Sequence, residues 1–321
     1  MDPLTDILKT MHVKAVVHAR LEATAPWGLM REARDAEVKP ARSGEKISPI
    51  ELAHFGMVSR GNCWLSVEGI SDPIPLTGGD CFLVAPGISY ILRDHPRTRA
   101  KNFYEVAPKK GSNVIQYGGG GTPTTVISGL LSFERLSLKS VTQLLPNLIL
   151  IKADQAQTLA LHTTLQSLAA EMAEQAPGSE VVTNHLAEIL FVQALRVHIA
   201  SSSETCRQPW LRAIFDPQIG TALRSIHEDV KSPWTVETLA AAAGMSRSAF
   251  APRFKELLGQ TPLEYVTDWR MQKALLLLKE NDNKLAGVAQ SVGYESDAAF
   301  SKAFKRIIGM TPGEYRQTAS R

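Results

Sequence analysis

Ser296-Asp-Ala-Ala-Phe300-Ser-Lys-Ala-Phe304-Lys-Arg-Ile-Ile-Gly309-Met-Thr311-Pro312-Gly-Glu314-Tyr315 is the stretch on which the fold turns. A serine able to cap a helix is followed by phenylalanines four apart, which bury one helical face. A glycine then closes that helix, and Thr-Pro opens another with proline in its first turn. The same signals stand 50 positions upstream, at Ser246, Phe250, Phe254, Lys255, Gly259, Thr261, Pro262, Glu264 and Tyr265.

Each copy is preceded by a shorter apolar pattern. Val236, Leu239, Ala240, Ala243 and Gly244 are matched 49 residues later by Leu285, Val288, Ala289, Val292 and Gly293. The spacing i, i+3, i+4, i+7 predicts one buried helical face, ended by a glycine turn. Helix, glycine turn and capped helix, present twice, predict two helix-turn-helix units. A recognition helix fits the major groove, and two on one face of a duplex must sit about 34 Å apart. The connecting segment from Pro262 to about Lys279 would span about 27 Å at about 1.5 Å per residue. Its stripe of Met271, Ala274, Leu275 and Leu278 can anchor it to both units.

With the phenylalanines inside, geometry leaves two outer faces for DNA. They are Arg247, Ser248, Ala251 and Lys255 in the first unit, and Ser296, Asp297, Ala298, Ser301, Lys302 and Lys305 in the second. Lys302 and Lys305 suit guanine edges or phosphates, and the capped N-termini at Ser246 and Ser296 offer N–H groups to phosphates. Pro252, six residues past Ser246, predicts a kinked or late-starting first recognition helix.

The remaining sequence narrows the class. A net charge of +3 over 321 residues means that a few placed cations, not the whole field, would hold nucleic acid. The acidic start Met1-Asp-Pro-Leu-Thr-Asp is unlike a signal peptide, and no apolar run approaches a membrane span, which points to the cytoplasm. Cys63, Cys81 and Cys206 are too few and too scattered for a disulfide framework or a four-ligand zinc site.

From about Trp27 to Phe133, runs such as Cys63–Val67, Cys81–Ala85 and Thr125–Leu131 predict short strands of an antiparallel barrel or sandwich. Gly118 to Gly121 is expected to be a mobile loop, since no helix with Lys and Ser/Thr follows to make a phosphate cradle. Beyond about Asp154 the period is helical. Leu161, Leu165, Leu168 and Met172 share a face, as do Val182, Leu186, Ile189, Leu190, Gln193 and Val197 on the next helix. This hairpin either packs on the barrel or forms a dimer seam. Ser201 to Pro209 has the composition of a linker.

The C-terminal hundred residues resemble the AraC/XylS family of transcription regulators. The match is carried by Trp234-Thr-Val-Glu-Thr-Leu-Ala, Ala243-Gly-Met-Ser-Arg-Ser-Ala-Phe and Phe304-Lys-Arg-Ile-Ile-Gly-Met-Thr-Pro-Gly-Glu-Tyr-Arg. Gly78-Gly-Asp-Cys-Phe-Leu-Val-Ala-Pro-Gly resembles the second cupin motif, with His54 and Gly61 near the first. The resemblance implies an α+β chain of two domains. An antiparallel, cupin-like β-barrel over 1–140 would be joined by a helical hairpin over 141–203 and a linker over 204–215 to a double helix-turn-helix domain over 216–321. It implies a homodimer that binds double-stranded promoter DNA and contacts RNA polymerase, with no cofactor and no membrane partner.

A metal-dependent cupin enzyme is the alternative. Against it, the histidine expected after Pro86-Gly87 is absent, Tyr90 stands near that place, and His54 has no His-x-His companion. The signal would be a small molecule among His54, Trp64, Phe82 and Tyr90, or an oxidant acting on Cys63 and Cys81.

Overall fold

Period-two burial marks the strands of the N-terminal half. In β4 (Asn62–Val67), Cys63, Leu65 and Val67 are buried while Trp64 and Ser66 are half-exposed, the pattern of a strand covered on one face. The computed structural model describes residues 5, 14–33, 52–106, 114–132, 145–154, 159–174, 176–201, 209–279 and 284–319. It divides into one unit of Val13–Ser203 and a second built on Glu204–Arg321. The expected strand at Phe133, residues 204–208 of the expected linker and Cys206 lie outside the described residues, while 209–215 of that linker are helical because Trp210, Leu211, Ala213 and Ile214 bury an apolar face.

In the first unit, β1 (Lys14–Thr24), β3 (Leu52–Arg60), β6 (Cys81–Val84), β9 (Val114–Gly118), β10 (Pro123–Ser132) and β11 (Leu148–Ile151) form one sheet, ordered β11-β6-β3-β10-β1-β9. A second sheet contains β2 (Gly28–Arg31), β5 (Ile74–Thr77), β7 (Tyr90–Arg93) and β8 (Lys101–Asn102) with β4, ordered β5-β4-β7-β2-β8. The sheets share one core that includes Leu21, Leu29, Val58, Leu65, Phe82 and Val84. Among the described residues the ladders remain two sheets, without a hydrogen-bonded ring. Pairing is antiparallel except at two edges, where β9 runs parallel to β1 and β8 parallel to β2. Both edge strands arrive by long connections, so no hairpin dictates their direction.

The four-glycine run departs from expectation. Gly119 and Gly121 donate to the carbonyls of Thr24 and Ala25, and Gly120 donates to Thr24 Oγ1. Rather than a mobile loop, it is a turn sewn to the end of β1. A Cβ at Gly118 would collide with the Thr24 carbonyl, so the glycines serve close approach.

A short helix, α1 (Phe103–Val106), follows β8. The hairpin is α2 (Leu159–Glu174) and α3 (Ser179–Ser201), turned at Gly178 with φ +89°. Leu161, Leu165 and Leu168 are buried as their spacing predicts, while the side chain of Met172 lies outside the described residues. α3 packs on β1 and β11. It does so through a stripe shifted from the expected one. Ala187, Leu190, Phe191, Ala194, Leu195 and Val197 are buried, whereas Val182 and Ile189 are 43% and 47% exposed. Polar and apolar residues are mixed round the whole of this helix, which gives periodicity no means of choosing its inner face.

The second unit is helical: α4 (Pro209–Phe215), α5 (Ile219–Glu228), α6 (Val236–Ala242), α7 (Arg247–Leu258), α8 (Pro262–Lys279), α9 (Leu285–Ser291), α10 (Asp297–Ile308) and α11 (Pro312–Ala319). Phe250, Phe254, Phe300 and Phe304 are fully buried, as are Met271, Ala274 and Leu278 of α8. His227 of α5 stacks on Trp269 of α8, ring centres 3.9 Å apart, and its Nε2 lies 2.8 Å from Tyr265 Oη.

Candidate nucleic-acid interface and sensor interior

The two helical pairs are built by the same local chemistry. Ser246 Oγ accepts from the amide of Ala249 at 3.3 Å, and Ser296 Oγ from that of Ala299 at 3.2 Å. Each starts a helix of 12 residues. Gly259 and Gly309 end these helices with φ +73° and +85°, their amides donating to the carbonyls of Lys255 and Lys305. Only a residue free to enter the left-handed region closes a helix this way at little cost. Inside, the Phe250–Phe254 ring centres are 5.5 Å apart and the Phe300–Phe304 pair 5.6 Å. The next helix is opened in both copies by a reciprocal box, Thr261 with Glu264 and Thr311 with Glu314. The copies differ at one start. Thr235 and Thr238 form a capping box for α6, whereas Lys284 gives α9 no side-chain cap.

This scaffold turns the expected contact residues outward. Arg247, Ser248, Lys255, Ser296, Asp297, Ala298, Lys302 and Lys305 are exposed, and Ala251 and Ser301 are half-exposed. Arg247 is held by Glu237 of α6 at 2.6 Å, and Ser248 Oγ lies 3.2 Å from Ser246 Oγ. Lys255, Lys302 and Lys305 hold no ion pair with the described residues. They are cations available to a polyanion.

Pro252 does not delay α7, which begins at Arg247 directly after its cap. The carbonyl that proline leaves without a helical donor belongs to Ser248, an exposed residue of the first turn where water reaches it. Pro252 is itself exposed and borders an open groove of about 840 Å³, together with Phe215, Met245 and Arg253.

α8 covers the range expected of the connecting rod and packs on both helical pairs. Sequence reasoning missed a polar residue that ties this helix to the chain ahead of α6. Arg270 donates from Nε to the Val230 carbonyl at 3.0 Å and from Nη2 to that of Ser232 at 2.7 Å. Its partners lie some forty positions away and leave no local signal.

The interior of the β domain gathers some of the sensing candidates and separates others. His54 of β3 is buried, and Tyr90 Oη approaches its Nδ1 at 3.3 Å. Phe82 joins them, its ring centre 6.0 Å from that of Tyr90. Burial, with Arg31 adding to it, holds His54 well below the ordinary histidine range, so the ring is neutral. Trp64 is not part of this group, because it alternates with the core residues Cys63 and Leu65 and takes the opposite face. Cys63 belongs to the core between the sheets. Cys81 precedes the core residue Phe82 and faces the other way. Both thiols are free and buried, and burial, reinforced by the Asp80 carboxylate, pushes each up to about 12. Among the described residues no group of three or more His, Cys, Asp or Glu could hold a metal ion.

Arg31 was also missed. Trp27, Leu29 and Arg31 share the inward parity of one extended segment, and all three are buried. A charged residue at an inward position was the available signal.

Comparison with known proteins covers nearly the whole chain. A cupin family model matches residues 2–200, and a helix-turn-helix domain model matches residues 239–318. A putative AraC-like transcription regulator of Streptomyces lividans is 34% identical over 317 residues, covering 99% of this chain and 98% of the relative. Its counterpart in Streptomyces antibioticus is 33% identical over 324 residues, with 99% of each covered. The HTH-type transcriptional regulator AlkR of Acinetobacter baylyi is 28% identical over 323 residues, again with 99% of each covered.

Proposed function

The chain belongs to the AraC-like transcription regulators, and from that membership we propose that it reads promoter DNA with both helix-turn-helix units, under control of a small molecule taken up by its cupin domain. It is a DNA-binding regulator of transcription, and the enzyme alternative gives way to the family. One observation carries the finer reading: the outward lysines of α10, with no ion pair to the described residues, stand on a capped helix whose twin lies at the other end of α8.

On this reading Arg247, Ser248, Ala251 and Lys255 face one major-groove segment. Ser296, Asp297, Ala298, Ser301, Lys302 and Lys305 face the next. α10 is the stronger reader, since Arg247 starts from an ion pair with Glu237 and Pro252 fills an exposed place on α7. The proposed division is a sensor over 1–140 whose sheet β11 completes, a hairpin over 141–203, a linker over 204–215 that ends in α4, and the reader over 216–321. The exposed apolar positions of α3, Val182 and Ile189, support a homodimer. RNA polymerase is the proposed partner at the promoter and the cytoplasm the proposed compartment. No described helix is long and apolar enough to cross a membrane.

For the signal, a small molecule is favoured over an oxidant. Thiols pushed up to about 12 supply almost no thiolate near neutral pH, and thiolate is the species that oxidants attack.

Selection of bound sequences from random DNA at two salt concentrations tests the reading, because phosphate contacts alone fade steeply with salt. The expected product is a non-palindromic site with two different half-sites about 10.5 base pairs apart. Lys302→Ala should lose preference in one half-site and leave the other intact. Enrichment of a single half-site, or of none at the higher salt, would overturn two-unit reading.

A further inference from the structure

Arg31 ends β2 inside the β domain, only 7% exposed. Its Nη2 is fully buried and has no hydrogen-bond partner, and the guanidinium holds no ion pair with the described residues. Two aromatic rings stand beside it, Tyr104 at 5.2 Å and Phe103 at 5.9 Å from ring centre to Cζ. Directly across the ladder stands Tyr90, which reaches on to His54. Burial keeps Tyr90 protonated and His54 uncharged. A guanidinium cannot shed its proton at any ordinary pH, so this charge has no escape by neutralisation. A buried cation left uncompensated is unfavourable, and ring faces offset only part of that.

We propose that Arg31 is the anchor for the carboxylate of a small organic acid, the effector of this regulator. The planar fork of the guanidinium matches a carboxylate with two parallel hydrogen bonds. Tyr90 and His54 beyond it are neutral groups able to share a hydrogen bond with the same head. One cation amid neutral and aromatic neighbours balances a single negative charge. A doubly charged phosphate would leave one charge unmatched, which favours a carboxylic acid with an apolar body over a phosphoester. Tyr104 is 40% exposed and forms the outer wall, so its ring is the part that moves aside for entry.

The inference deepens the small-molecule reading above and rests on it. Its test uses the full chain with benzoate, octanoate and the uncharged amide of each, following the thermal midpoint. At least one acid should raise the midpoint and bind about tenfold or more tighter than its amide, as charge-assisted hydrogen bonds require. The response should vanish in Arg31→Met, and that variant without ligand should melt no lower than the parent, because it replaces an unpaired buried charge with an apolar chain of similar length. Acid and amide acting alike, neither acid acting, or Arg31→Met melting well below the parent would each overturn the assignment. Sequence selection with the parent protein keeps the two failures apart. A selected DNA site together with no acid response in the parent sinks only the anion site, whereas absence of any selected site in the parent sinks the regulator mechanism itself.

Discussion

The Arg270 guanidinium lies 5.7 Å from the centre of the Tyr294 ring. Arg270 belongs to the connecting helix, and Tyr294 to the turn of the second helix-turn-helix. Because Arg270 also donates to the carbonyls of Val230 and Ser232 ahead of α6, one side chain braces the approach to the first unit against the turn of the second. Arg270→Ala should destabilise the helical unit by about 2–4 kcal/mol, from two charge-assisted hydrogen bonds and one cation–π contact. Arg270→Lys should recover less than half, since a single ammonium cannot reproduce the fork. Denaturant unfolding at fixed slope reads both.

The glycines of the two turns should respond unequally. Gly293 has φ +81°, and a Cβ there would meet the Lys231 carbonyl at 2.7 Å and Arg270 Nη2 at 2.8 Å. Gly244 has φ +63°, and a Cβ there would meet nothing within 4 Å. Gly244→Ala should therefore cost about 1–2 kcal/mol, the left-handed penalty alone. Gly293→Ala should cost clearly more, because backbone as well as side chain must move. Equal losses in urea unfolding would contradict the proposed crowding.

Acid should loosen the helical unit through His227. Burial first, then Lys273, lowers this histidine from 6.5 to about 3. It is neutral when folded and takes a proton more readily when unfolded, so stability is complete above about pH 6.5 and declines as pH falls toward 3. The slope reaches at most about 1.4 kcal/mol per pH unit. His227→Gln should be less stable at pH 7 but show a flatter midpoint between pH 6.5 and 4. An unchanged slope would assign the acid response to other groups.

Glu237 restrains a proposed DNA contact. Its carboxylate holds Arg247 at 2.6 Å, with both side chains largely exposed. Glu237→Gln should tighten DNA binding a few-fold at low salt by freeing Arg247 and removing a negative charge beside the phosphates. The gain should shrink as salt rises and exposed charges are screened. Tighter binding that persists at high salt would argue for a different cause.

The helical unit was legible because its signals are local. Caps at Ser246 and Ser296, glycines at 259 and 309 and phenylalanines four apart all act within one or two turns, and the rod begins at Pro262 as its Thr-Pro pair predicts. Pro252 misled as to where the helix starts, because a missing amide matters less where the orphaned carbonyl meets water. In the β domain the strands themselves were readable, but their partners were not. That Trp64 turns away from His54, that β8 and β9 pair in parallel, and that Arg31 meets Tyr104 all depend on register between distant segments. Alternation along β2 could have flagged Arg31 but did not, and only tertiary packing shows that no described residue neutralises it.

An uninterrupted α8 also constrains how the target site can evolve. Both proposed readers are pinned to one stiff spacer, so on that reading neither can slide along DNA without the other. Substituted bases would weaken a promoter by degrees. An inserted base pair would swing the far half-site about a tenth of a turn round the duplex and out of reach. Drift among promoters of this regulator is thus expected to change letters while leaving the interval between them untouched.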